Sequence, residues 1–160
     1  MMVYQFAYET EIGRVVIAEE NGAITYLGLT DILADVEEET PLIREAYGQL
    51  LAYLAGERED FDVPLAPKGT AFQKRVWDAL RLIEYGGVRT YKEIAVAVGN
   101  EKASRAVGMA NNRNPIFIMI PCHRVIGANG KLVGYGGGLP LKEKLLNLET
   151  KLGVHVEMQT

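Results

Sequence analysis

The sequence predicts an α+β chain of two small domains, a sheet-and-helix front half and a helical back half built on a helix-turn-helix. Three observations predict this. Short β-rich runs with turn signals between them fill the first thirty residues, two capping boxes open helices after residue 69, and the charge changes sign between the halves. The chain has 160 residues, 48% hydrophobic and 24% charged, which suits ordinary globular folding without disulfide or metal staples.

Taken in order, Val3–Tyr8, Arg14–Ala18 and Ala23–Leu29 read as strands, separated by Gly13 and by Asn21-Gly22. Thr40-Pro41 starts a helix with threonine as cap and proline in the first turn. Leu42, Ile43, Ala46, Tyr47, Leu50, Leu51 and Leu54 form its apolar stripe, and Gly56 ends it. Val63-Pro64-Leu65-Ala66-Pro67-Lys68-Gly69 reads as a linker, placing the domains at 1–66 and 67–160.

In the back half Thr70-Ala71-Phe72-Gln73 is a capping box, followed on one face by Phe72, Val76, Ala79, Leu80 and Ile83. Gly86-Gly87 is the expected stop. Thr90-Tyr91-Lys92-Glu93 is a second box, with Ile94, Ala95 and Val98 behind it and Gly99 as the cap. A third helix is expected over about 102–111. Ala103, Ala106, Val107 and Ala110 should share its inner face, with Arg105 and Met109 pointing outward. A last helix carries Leu141, Leu145 and Leu148 as its buried stripe.

Residues 1–66 hold three basic and fourteen acidic side chains, a net −11, while residues 67–160 hold fourteen and seven, a net +7. Phosphate contact is therefore expected of the back half. The longest apolar runs fall well short of a spanning helix, so no membrane partner is expected. The start lacks a basic-then-apolar leader, and Cys122 has no second cysteine to pair with; together these predict a cytoplasmic protein. Cys122, His123 and His155 are too few for a structural zinc site, so no metal is expected. The tail after Leu152, with His155, is read as structural.

The chemistry centres on Ile120-Pro121-Cys122-His123-Arg124-Val125-Ile126. Proline fixes the turn that carries the thiol, and polar, cationic neighbours are the company a reactive cysteine needs. Cys122 and His123 are adjacent, so a water or a third residue must connect them. Glu149 follows Leu145 by one helical turn, and a carboxylate on that buried side needs a partner such as His123. Gly134-Tyr135-Gly136-Gly137-Gly138 is either an anion nest or a mobile loop with Tyr135 as lid. It lacks the spacing of a nucleotide loop, so no cofactor is expected.

Together these residues resemble the O6-alkylguanine-DNA alkyltransferases. The resemblance covers about 72–149. It is carried by Phe72-Gln73-Lys74-Arg75-Val76-Trp77, Ser104-Arg105-Ala106-Val107-Gly108, Asn114-Pro115 and above all Ile120–Ile126, in matching order and spacing. It implies an RNase H-like front domain and a winged helix-turn-helix back domain. It also implies a monomer that acts on double-stranded DNA containing O6-alkylguanine, moving the alkyl group irreversibly to its own Cys122. Repair of O4-alkylthymine is a second activity the resemblance leaves open. His123 and Glu149 resemble the network that draws off the thiol proton through a water, Asn114 the side chain that holds the turn, and Tyr91 the phenol that donates to the guanine ring as it leaves. Arg105 resembles the side chain that replaces the flipped base. Ser104, Met109, Arg113, Arg124 and Val125 are expected to join it on the DNA, with Tyr135 and Gly136 over the base. Gly136 stands where serine is often found, and its backbone N–H still donates. The rival readings are a non-catalytic alkyl-lesion sensor, a winged-helix regulator, or a cysteine hydrolase that turns over esters without DNA.

Overall fold

The computed structural model describes residues 2–150, so the expectation for the tail and His155 lies outside the described residues. The chain divides into two compact units that part between Lys68 and Gly69.

The front unit is a four-stranded sheet carrying one helix. Strands β1 (Val3–Thr10), β2 (Gly13–Glu20) and β3 (Ala23–Gly28) form an antiparallel meander, and β4 (Val36–Glu37) adds in parallel beside β1, giving the order β3-β2-β1-β4. Asn21 and Gly22 both have positive φ, 57° and 76°, which suits the mirror-image turn that matches the twist of a hairpin. β4 was not expected; two residues carry no readable period. Val15 to Ala18 of β2 are all fully buried, making this central strand the middle of the core. Helix α1 (Pro41–Leu54) packs on β2 and β3 with Ile43, Ala46, Leu50 and Tyr53 inward, and Thr40 caps it through the Ile43 N–H. Pro64 and Ala66 bond to Ile24, so the first part of the linker runs beside β3.

The back unit packs α2 (Ala71–Leu80), α3 (Tyr91–Ala97) and α4 (Ser104–Asn112) against one another. Both capping boxes form, Thr70 with Gln73 and Thr90 with Glu93. Helix α2 ends at Leu80, earlier than expected, because the chain tightens into i→i+3 bonds that bring Ile83 inward and leave Leu82 exposed. A turn with Gly99 at φ 86° joins α3 to α4, completing the helix-turn-helix. Strand β5 (Arg89–Thr90) pairs in parallel with β6 (Val125–Ile126), and α5 (Leu139–Thr150) closes the unit. No helix among the described residues is long and apolar enough to cross a membrane.

Trp77 sets the position of α4. It is buried, and its indole Nε1–H donates to the Ala110 carbonyl at 2.9 Å. Trp77→Phe should therefore leave that carbonyl with only the Arg113 N–H at 3.2 Å and cost about 0.5–1.5 kcal/mol. Urea unfolding followed by circular dichroism checks this, since the variant removes the chain's one tryptophan.

Candidate active site

The cysteine arrives on a segment held from behind by two asparagines at the end of α4. Asn114 donates through Nδ2 to the Ile120 carbonyl at 2.7 Å and accepts at Oδ1 from the Ile116 N–H at 3.0 Å. Asn111, 1% exposed, donates through Nδ2 to the Cys122 carbonyl at 3.3 Å. Between these anchors Ile118 sits at φ 71°, a left-handed conformation that a β-branched residue rarely adopts. Such strain costs of order 1–3 kcal/mol and persists only where the surroundings enforce it. The segment ends in a 3-10 turn over Cys122–Arg124.

Glu149 of α5 lies under that turn. His123 Nε2 is 2.6 Å from Glu149 Oε2, and Arg124 bonds both carboxylate oxygens, Nε to Oε1 at 2.7 Å and Nη2 to Oε2 at 3.0 Å. Arg124 Nη1 also donates to the Ile83 carbonyl at 2.7 Å. Arg124 is thus buried structure and does not face DNA as expected; its guanidinium is used up by an internal carboxylate. Val125 is likewise fully buried in β6 and is not on the exposed surface.

The charges in this cluster follow. Burial pushes the Glu149 carboxyl up, but the hydrogen bonds and charges of His123 and Arg124 outweigh it and hold the group at about 2. The stabilisation this shift represents is present above the ordinary value of 4.5 and fades as pH falls toward 2. Burial pushes His123 down, with Glu149 opposing, so the imidazole rests neutral. An ionised Glu149 can only accept, which assigns the ring proton to Nε2 and leaves Nδ1 as the basic nitrogen. Burial pushes the Cys122 thiol up, against hydrogen bonds from Asn114 and Tyr135 and the charge of Lys142 that favour the thiolate.

The outward face of α4 carries Arg105, Met109 and, just past its end, Arg113, all exposed, with Ser104 half-buried. Ala106 is exposed too, contrary to expectation. The helix starts at Ser104, and its inner face is Val107, Ala110 and Asn111. Ala106, Met109 and Arg113 line a shallow groove with Phe72 and Gln73 of α2.

The glycine-rich loop lies beside the end of α4. A Cβ built on Gly134 would meet the Asn112 side chain at 3.4 Å, and one on Gly136 the Asn112 carbonyl at 3.9 Å. Tyr91, half-buried at the start of α3, donates its hydroxyl to the Val133 carbonyl at 2.7 Å. Burial pushes that phenol up to about 12. Asn111 and Lys142 are the site-lining residues that sequence reasoning missed. An asparagine following the Val107/Ala110 stripe was the available signal for the first. For the second, the signal was a lysine on the same helix face as Leu145, Leu146 and Glu149.

Two family models match the chain in tandem. Residues 2–67 match the ribonuclease-like domain of 6-O-methylguanine DNA methyltransferase, and residues 71–151 match its DNA binding domain. A methylated-DNA–protein-cysteine methyltransferase of Methanosarcina acetivorans is 53% identical over 153 residues, covering 92% of this chain and 98% of that protein. A constitutive enzyme of the same name from Bacillus subtilis is 48% identical, covering 92% and 96%. Among solved structures, Mycobacterium tuberculosis OGT in complex with DNA superposes with a TM-score of 0.86 at 45% identity, covering 92% of this chain and 93% of that one. With both halves matched in order and relatives near half identity over almost the whole length, the chain belongs to the O6-methylguanine-DNA methyltransferase family.

Proposed function

We propose that the protein repairs double-stranded DNA by moving an alkyl group, methyl in the simplest case, from O6 of guanine to its own Cys122. The observation that carries this reading is the buried cysteine at the end of a strained segment, with the His123–Glu149 pair behind it, in a chain of this family. A target alkyl group sits inside the duplex, so the nucleotide must first be flipped out, at a few kcal/mol. Arg105 and Met109, exposed on α4, are suited to enter the groove, with Arg105 filling the vacated stack and Ser104 and Arg113 holding the backbone. Tyr135 and Gly136 then cover the base.

The chemistry runs in one direction. The thiol proton passes through a water to Nδ1 of His123, and Glu149 stabilises the imidazolium that forms. The thiolate attacks the alkyl carbon, an S–C bond forms, the C–O6 bond breaks, and its electron pair returns to the guanine ring. The Tyr91 hydroxyl donates a hydrogen bond to the departing base and stabilises the charge it takes up, and the released base draws its proton from water. The thioether left behind has no route to hydrolysis, so each molecule acts once, as a monomer. A free thiol of this kind is suited to the reducing cytoplasm.

A lesion sensor or winged-helix regulator would bind the same DNA and leave it alkylated. The retained cysteine favours transfer, since a sensor needs no nucleophile. With excess O6-methylguanine duplex, transfer should stop at one methyl per protein. Mass spectrometry should place it on the Cys122 peptide, and Cys122→Ser should bind DNA and accept nothing. Turnover beyond one equivalent, or a methyl elsewhere, would sink the mechanism.

Arg105→Ala should slow repair of duplex far more than reaction with free O6-benzylguanine, because only the duplex needs a base extruded and its gap filled. Single-turnover rates on the two substrates measure this; equal losses would assign Arg105 another role.

Glu149→Gln removes the charge that supports an imidazolium at His123, so the rate at neutral pH should fall about 100-fold. It should recover in part as rising pH ionises the thiol unaided. A pH–rate profile that matches the parent, in a variant shown by circular dichroism to be folded, would rule the network out.

A further inference from the structure

Asn112 is the last residue of α4, and the mechanism above makes no use of it. Its side chain is exposed and has no hydrogen-bond partner among the described residues. It lies instead in van der Waals contact with the glycine-rich loop. A Cβ on Gly134 would meet the Asn112 side chain at Nδ2, 3.4 Å away, and at Oδ1, 3.5 Å away. A Cβ on Gly136 would meet the Asn112 carbonyl at 3.9 Å. Gly134 also has φ 63°, a conformation in which a side chain is strained. These two glycines flank Tyr135.

The directions matter as much as the distances. Both glycines aim their missing side chains at Asn112, while the side chain between them goes inward. The Tyr135 hydroxyl oxygen is buried, and its ring centroid stands 6.0 Å from Lys142 Nζ in the interior of the unit. The same hydroxyl is within reach of the Cys122 thiol. The loop thus has the thiol on its inner side and the end of α4 on its outer side. Its bonds to the rest of the unit are made from within or at its ends. Val133 O accepts from the Tyr91 hydroxyl at 2.7 Å, Gly134 O from Lys142 Nζ at 3.4 Å, and Gly138 O from the Lys142 N–H at 3.2 Å. Asn112 backs the loop from outside.

We propose that Asn112 is a specificity-determining residue: it is the stop behind the lid, and it sets how large an alkyl group fits between Tyr135 and Cys122. The inference rests on the alkyl-transfer reading for the substrate, and on the contacts alone for the stop. A methyl group asks least of that space. A benzyl group needs Tyr135 farther from the thiol, and the way out leads into the Asn112 amide. Atoms already in contact resist further approach steeply, so the larger group must displace the asparagine. An exposed side chain with no hydrogen bonds gives way more easily than backbone would. The stop therefore grades substrates by size and leaves the site open to small groups.

The test uses the full-length protein and duplexes carrying O6-methylguanine or O6-benzylguanine, compared by single-turnover rates. Asn112→Ala removes every side-chain atom that touches Gly134, at an exposed helix end that accepts alanine. It should raise the benzyl-to-methyl rate ratio about tenfold. Asn112→Gln, one methylene longer, should lower that ratio. Gly134→Ala fills the same contact from the other side and should also lower it, and Asn112→Ala should relieve that loss. The strain at φ 63° is common to both backgrounds, so the relief reports the contact alone. Cys122 is the only thiol, so its reaction with iodoacetamide reads the lid without DNA. Asn112→Ala should speed that reaction severalfold with its pH dependence unmoved, since access changes and ionisation does not. An unchanged benzyl-to-methyl ratio in Asn112→Ala would overturn the specificity role. An iodoacetamide rate equal to the parent's would overturn the stop itself. If the parent protein takes up neither group from DNA while Asn112→Ala still speeds the iodoacetamide reaction, the repair reading falls and the stop stands.

Discussion

Glu149 is the constraint on which the site depends. One carboxylate on α5 receives His123 and the Nε and Nη2 of Arg124, while Nη1 of Arg124 reaches on to the carbonyl of Ile83 at the exit of α2. The reactive turn is thereby tied to the exit of α2 and to α5. Burying these charges carries a desolvation cost of several kcal/mol per ion, which close, multiply bonded geometry offsets. An apolar cluster could supply similar stability. It could not hold an imidazole in one tautomer with one nitrogen reserved as a base.

Helix α4 joins the outside of the unit to its chemistry in nine residues. Its outer face carries Arg105 and Met109, its inner face ends in Asn111, and Asn114 follows at once. A ligand pressing on the exposed face pushes on the same rigid rod whose end grips the Cys122 carbonyl and the strained segment before it. Trp77 fixes the rod from behind. Few intermediate parts lie between surface contact and thiol position.

Local rules made much of this legible. Both capping boxes, the Asn21-Gly22 hairpin and the proline start of α1 formed where turn and cap chemistry place them. What failed was non-local. Arg124 reads as a phosphate contact because a cation beside a reactive cysteine in a basic half usually meets solvent; its partner lies 25 residues on, and no periodicity links them. Lys142 is hidden for the same reason, since a lysine in a helix is ordinarily solvated. The inner face of α4 was placed one position off, with Ala106 inside. An alanine is small enough to suit either side, and the asparagine that does turn inward is polar. The outer limit of α2 was overrun because Ile83 is buried, as an α-helical stripe would have it, but by a tighter turn.

The thiol is 4% exposed, and burial keeps it protonated. For a reagent consumed by a single reaction, that resting state amounts to protection from waste. Small electrophiles and oxidants in solution compete for thiolates, and a covered thiol offers them little to attack. Cover is therefore an asset: shelf life, in a molecule that cannot be recharged, counts for as much as speed.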